Sequence, residues 1–121
     1  TFSYFDTGKN PSYEEPERFY HGFVLGLMVD LAEAYVLTSN RESGFGRYDV
    51  MLEPRADRDA YILEFKVHNH KKETSLEETV EVALKQIEDR AYEDVLIAKG
   101  IAKERIRKYG FAFAGKEVLI G

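Results

Sequence analysis

The sequence predicts an α/β fold: a central mixed β-sheet flanked by helices, in the order α-β-β-β-α-β with one extra final strand. Three observations predict it. Apolar residues recur at helical spacing in two long segments. Short runs of alternating apolar and polar residues lie between and after those segments. The second helix separates two strand runs widely enough for a right-handed crossover, so these strands can pair in parallel. Amphipathic helices beside half-buried strands bury their apolar faces by layering on the sheet.

The elements follow in order. Residues 1–16 hold Gly8, Pro11 and Pro16 among polar residues and read as an irregular lead-in or the end of a linker. That leaves 17–121 as a single domain. Phe19, Tyr20, Phe23, Val24, Leu27, Met28 and Leu31 predict a helix from about Glu17 to Tyr35. Tyr35 to Thr38 is β-branched and aromatic, which suits a strand. In Arg47 to Leu52 the alternation puts Arg47, Asp49 and Met51 on one face. Pro54 sits in a polar tract, Glu53 to Asp59, that reads as a hairpin loop. Tyr61 to Val67 alternates again, with Ile62, Glu64 and Lys66 on one face. His68 to Thr74 is a polar loop. Ser75 and Glu78 resemble a capping box, and Leu76, Val80, Ala83, Leu84, Ile87 and Ala91 continue from it at helical intervals. A further helical piece covers Glu93 to Lys99 before Gly100. Ile106 to Ala114 and Glu117 to Ile120 read as strands around Gly115-Lys116.

The chain has 121 residues, enough for one compact core and no second. Its 44% apolar content is too high for disorder. With no cysteine, disulfides, zinc-thiolate sites and cysteine nucleophiles are excluded, and a reducing cytoplasm is the expected setting. No apolar run is long enough to span a membrane, and no signal peptide is expected. The opening Thr1, in place of Met, suggests a piece of a longer chain. The net charge of −5 argues against a simple electrostatic binder of nucleic acid. Carboxylates that hold a divalent cation are part of that total, and a bound ion reverses the sign locally.

The sharpest chemical feature is Asp49 followed by Glu64-Phe65-Lys66. Glu64 and Lys66 emerge on one face of a strand whose surroundings are apolar. Burying their charges costs several kcal/mol unless they are paired or hold an ion. Asp49 lies on the preceding strand and can stand beside Glu64. Two convergent carboxylates form a hard oxygen site suited to magnesium or manganese. Such an ion polarises a phosphate and lowers the pKa of a bound water. Lys66 can orient that water, help deprotonate it, or offset charge building on the phosphate. The plain alternative is a structural Glu64–Lys66 pair on a strand face.

The residues around this triplet resemble a known superfamily. Gly44-Phe45-Gly46-Arg47-Tyr48-Asp49 followed by Ile62-Leu63-Glu64-Phe65-Lys66 is similar to the PD-(D/E)XK nuclease signature, with Tyr48 where the name has proline. More narrowly, the chain resembles the C-terminal nuclease-like domain of prokaryotic AAA-ATPase-like proteins. The likeness runs from Ser3-Tyr4-Phe5-Asp6 through Glu17, Phe19-Tyr20-His21 and Arg41-Glu42-Ser43. It continues through Ala83-Leu84-Lys85-Gln86-Ile87, Arg90 and Tyr92 to Gly110-Phe111-Ala112-Phe113. The resemblance implies a restriction-endonuclease-like core, metal ligation by Asp49 and Glu64, a catalytic Lys66, and phosphodiester cleavage in DNA. It also implies an upstream ATPase-like domain and, by analogy, a homodimer. Because the same fold hosts inactive relatives, a catalytically silent module for nucleic-acid or protein interaction is the alternative.

Supporting residues carry two readings each. Glu17 favours a helix N-terminus by its charge; the resemblance makes it the first-helix glutamate that holds a metal-bound water. His21, one turn on, is a packed histidine or a contact beside the site. Gln86 belongs to a solvated helix face, or is the motif glutamine near the lysine. The resemblance turns Arg90 and Tyr92 toward DNA phosphate. Arg47 pairs with Asp49 or contacts phosphate bidentately. His68 and His70 form H-x-H, a polar loop or a transition-metal pair. Scattered Lys71, Lys72, Lys103, Arg105, Arg107 and Lys108 read as solvated surface, or track a phosphate backbone.

Overall fold

The computed structural model describes residues 3–6, 15–41 and 47–121; among these, side chains are described from residue 19 onward, apart from positions 21, 40, 41 and 47. One six-stranded sheet organises them. In chain order the elements are β1 (Ser3–Asp6), α1 (Glu15–Leu31), β2 (Tyr35–Arg41), β3 (Arg47–Pro54), β4 (Ala60–Val67), α2 (Leu76–Asp89), α3 (Tyr92–Ala98), β5 (Ile106–Ala114) and β6 (Glu117–Ile120). The spatial order is β1-β6-β5-β4-β3-β2. Only β4 and β5 pair in parallel, across the α2–α3 connection; every other pair is antiparallel. The sheet is therefore mixed, with the parallel pair on either side of the helical crossover as expected.

Strand β2 runs on to Arg41 and β3 to Pro54, past the Thr38 and Leu52 ends expected from sequence, and two larger differences concern β1 and α1. Ser3–Asp6 lies within the stretch expected to be irregular, yet it pairs with Glu117–Ile120 and forms one sheet edge. Its four residues are too short for alternation to stand out in sequence, and the pairing supplies the order. Helix α1 ends at Leu31, not Tyr35. Ala34 N–H donates back to Leu31 O, and Arg55 N–H donates to Ala34 O. Tyr35 then opens β2, buried with its ring edge-on to Tyr61 at 5.9 Å. Tertiary packing of one aromatic outweighs the continuation of a helical pattern.

The sheet separates two environments. On one face α1 packs Tyr20 and Val24 on Val50, Leu52, Leu63, Phe65, Phe111 and Phe113. The aromatic rings there meet in tilted and edge-on contacts: Tyr20–Phe113 at 4.8 Å and Phe65–Phe111 at 4.7 Å. On the other face, Met51, Ala60 and Ile62 pack against Ile87 and Leu96 of α2 and α3, while Val80 packs on Ala112 and Leu119. Gly110 allows that second docking. A Cβ there would lie 2.9 Å from Val80 O and 3.1 Å from Ala83 Cβ.

Local chemistry sets the element ends. Ser75 Oγ accepts from Glu78 N–H, the expected N-cap. The Glu78 carboxylate reaches one residue further back than a capping box requires, to the N–H and hydroxyl of Thr74. Gly115, at φ 62°, makes the tight turn between β5 and β6 that its position predicts.

Candidate active site

The register of β3 and β4 brings the acids together. Asp49 and Glu64 are Cα partners across the antiparallel pair, which puts their Cβ atoms about 5 Å apart on one face. Lys66 follows Glu64 by one pleat repeat on the same face, that of α2 and α3. Asp49 is 2% exposed and Glu64 1%. Two ionised carboxylates this close and this deep repel, and a cation between or beside them relieves that repulsion.

Asp49 has protein partners. Tyr92 donates its hydroxyl to Asp49 Oδ1 at 2.8 Å, and Arg90 Nη1 donates to Oδ2 at 3.3 Å. The resemblance turns both residues toward DNA phosphate; the structure puts both on the carboxylate. The reason is a break between the helices. Arg90 caps the end of α2, Tyr92 begins α3, and Ala91 between them sits in the left-handed region at φ 59°, ψ 26°. A non-glycine residue there is uncommon and costs about 1 kcal/mol or more. The bend points the side chains on either side of it at the same acid. The Arg90 side chain remains 27% exposed, so it borders solvent and Asp49 together.

Lys66 has a different kind of partner, one that sequence reading missed. Its Nζ donates to Glu73 Oε2 at 2.5 Å. Glu73 Oε1 accepts from Asn69 N–H at 2.8 Å and from the Thr79 hydroxyl at 2.9 Å. His68 Nδ1 lies 2.7 Å from Thr79 Oγ1. Since Thr79 gives its single proton to the carboxylate, His68 Nδ1–H is the donor in that contact. Burial pushes the Glu73 carboxyl up. The hydrogen bonds from Lys66, Asn69 and Thr79 and the Lys66 charge outweigh it and hold the group below its usual range. Glu73 lies in a polar loop, where nothing in the sequence marks a buried acid.

Other predicted residues fall as follows. Arg47 is the Cα partner of Lys66. Glu17 and His21 lie on α1, across the sheet from Asp49, Glu64 and Lys66. The side chains of Arg47, Glu17 and His21, and residues 42–46 of the resemblance, lie outside the described residues. Gln86 is half-buried on α2 one turn before Arg90. The described hydrogen bonds of Asp49 and Lys66 go to Tyr92, Arg90 and Glu73 and none to Gln86. His70 is exposed beside His68, and the rings meet edge-on at 4.6 Å.

A model of the PD-(D/E)XK nuclease superfamily matches residues 15–121. The chain belongs to the PD-(D/E)XK nuclease superfamily. No curated protein and no solved structure matches it. Members of this superfamily are nuclease-type domains that generally hydrolyse phosphodiester bonds with divalent metals. Among the described residues, no group of three or more His, Asp or Glu is placed to hold an ion. Two carboxylates alone still fit a magnesium-type ion, which takes one or two protein carboxylates and fills its shell with water and substrate phosphate. Among the described residues, no helix is long and apolar enough to cross a membrane.

Proposed function

We propose that this PD-(D/E)XK domain is a magnesium- or manganese-dependent deoxyribonuclease that hydrolyses phosphodiester bonds of DNA, as the C-terminal part of a longer ATPase-like protein in the cytoplasm. The observation that carries the reading is the register pairing of Asp49 with Glu64, with Lys66 on the same face. Asp49 and Glu64 would hold the ion. Once bound, it supplies Lewis acidity and a water of lowered pKa.

The chain's own residues do the rest. Tyr92 and Arg90 grip the two oxygens of Asp49, so the ligand is oriented before the ion arrives. Arg90, partly open to solvent, is placed to share its guanidinium with a phosphate. Lys66 presents an ammonium beside the acids, where it orients the attacking water and offsets charge on the phosphate. It also lines a cleft of about 390 Å³ with Asn69, Lys72, Glu73, Glu78 and Val82. Arg47, the Cα partner of Lys66, belongs to the same reading as a phosphate contact. A homodimer belongs to the same reading, by analogy with the many such nucleases that act as dimers.

A catalytically silent module is the second reading. It is favoured by the bonds Asp49 already makes to Arg90 and Tyr92, and by the net charge of −5. The two readings separate in one experiment. The folded chain is incubated with plasmid, linear and single-stranded DNA in magnesium or manganese, beside Asp49→Asn and Lys66→Met. Metal-dependent cutting that falls by about 10³-fold or more in both variants is expected. Salt-dependent DNA binding with no cutting of any form would assign the silent module.

A further inference from the structure

Glu73 is the buried acid that this mechanism leaves unused. Its neighbours His70, Lys71, Lys72 and Thr74 are all exposed, while Glu73 is 7% exposed. A solvated glutamate in such a loop costs nothing; a buried one costs several kcal/mol before its bonds are counted. The loop is built to keep it inside. Glu73 N–H and Lys72 N–H both donate to Asn69 O, which closes the turn. The fully buried Thr79 and the Asn69 N–H then fill the carboxylate oxygen that Lys66 does not use.

The consequence falls on Lys66. A lysine ammonium on a four-carbon stem, two residues from Glu64 on the same face, is attracted to the Glu64 and Asp49 carboxylates. Collapsed onto them, it would occupy the oxygens an ion needs. A third carboxylate, fixed by its own donors, draws the ammonium away and holds it at one place. We propose that Glu73 is a positioning residue for Lys66, keeping its ammonium at the edge of the acid pair and clear of the ion's place. The proposal rests on the nuclease reading for its consequence on cleavage. The placement of Lys66 stands apart from that reading and is tested apart from it.

The experiment uses the folded chain and Glu73→Gln, Glu73→Asp, Thr79→Val, Lys66→Met and the Lys66→Met/Glu73→Gln pair. Trace acetylation with acetic anhydride, read by peptide mass spectrometry, reports how free Lys66 is, with exposed Lys85 as internal reference. Glu73→Gln should lower Lys66 labelling by about fivefold or more and leave Lys85 unchanged, since the released ammonium then pairs with the buried Asp49 and Glu64. Thr79→Val removes one donor to Glu73, keeps the shape, and should shift Lys66 labelling in the same direction by less. In cleavage assays, Glu73→Gln should lower kcat about 10- to 100-fold with little change in KM, and Glu73→Asp should recover part of it. In the Lys66→Met background, Glu73→Gln should have no further effect on residual cleavage or manganese affinity. Unchanged Lys66 labelling in both Glu73→Gln and Thr79→Val overturns the proposal, as does an equal loss of activity in both backgrounds. If the unaltered chain cuts nothing, the nuclease reading fails, and the labelling still decides whether Glu73 positions Lys66.

Discussion

Successive residues of β3 and β4 are equally deep and under opposite rules. Val50 and Phe65 are 1% and 0% exposed on the α1 face; Asp49 and Glu64 are 2% and 1% exposed on the α2 face. On the α1 face, burial is itself favourable, about 25 cal/mol per Å² of apolar surface, and ring contacts add to it. On the other, burying charge is a cost offset by particular partners: Arg90 and Tyr92, which donate to Asp49, and Glu73, which accepts from Lys66. The difference teaches where to look for chemistry in a small domain. Charged residues buried on this pair of strands, Asp49 and Glu64, are offset by apolar burial elsewhere, chiefly the aromatic layer under α1.

The largest test of that contrast sets Phe65→Ala against Glu64→Gln. Phe65→Ala should cost about 3–5 kcal/mol in urea unfolding, because the emptied space lies among rings that cannot collapse into it. Glu64→Gln keeps the shape, should cost less than Phe65→Ala, and should abolish metal-dependent cutting. Equal destabilisation by the two would break the comparison, since the α2 face would then be as much a folding core as the α1 face.

A smaller effect tests how closely α2 is seated on the sheet. Gly110→Ala puts a methyl 2.9 Å from the backbone oxygen of Val80, which cannot swing aside. It should lower stability by about 1–3 kcal/mol, measured by thermal unfolding. A neutral result would mean that α2 rides further from β5 than the Gly110 contacts require.

The smallest concerns acid. The Glu73 carboxyl sits below its ordinary value of 4.5 in the folded chain. The unfolded chain therefore binds the proton first as pH falls. The stability this group contributes is complete above about pH 4.5 and is lost as pH drops through the lowered folded value. Asp59 and Glu78 are lowered too and contribute the same sign. The measurement is thus a difference: unfolding free energy at pH 7 and pH 3.5, with Glu73→Gln less acid-sensitive than the unaltered chain. Parallel pH profiles would count against a buried, ionised Glu73.

The parts of this site that were legible share one property: they depend on local periodicity. A strand repeats every two residues, so Glu64 and Lys66 had to share a face. The alternation of Arg47 to Leu52 placed Asp49 within reach of them. The Ser75 cap and the Gly115 turn were readable because each is settled within three or four residues. Glu73 was not legible, since whether a loop acid is solvated or buried depends on where the loop folds back. Nor was the convergence of Arg90 and Tyr92, because alanine carries no signal for a left-handed break. Strand β1 was missed for the same reason: a four-residue edge exists only by its pairing.

The sequence by itself determined the two helices with their apolar faces, the strand phases, and the three residues that share one side of the sheet, because those properties come from backbone repeat and side-chain polarity. Tertiary structure alone decided which groups hold those three residues in place: Tyr92 and Arg90 on Asp49, and Glu73 on Lys66. The physical reason is distance along the chain. Asp49 meets partners 41 and 43 residues away, and no local rule of spacing or propensity reaches that far.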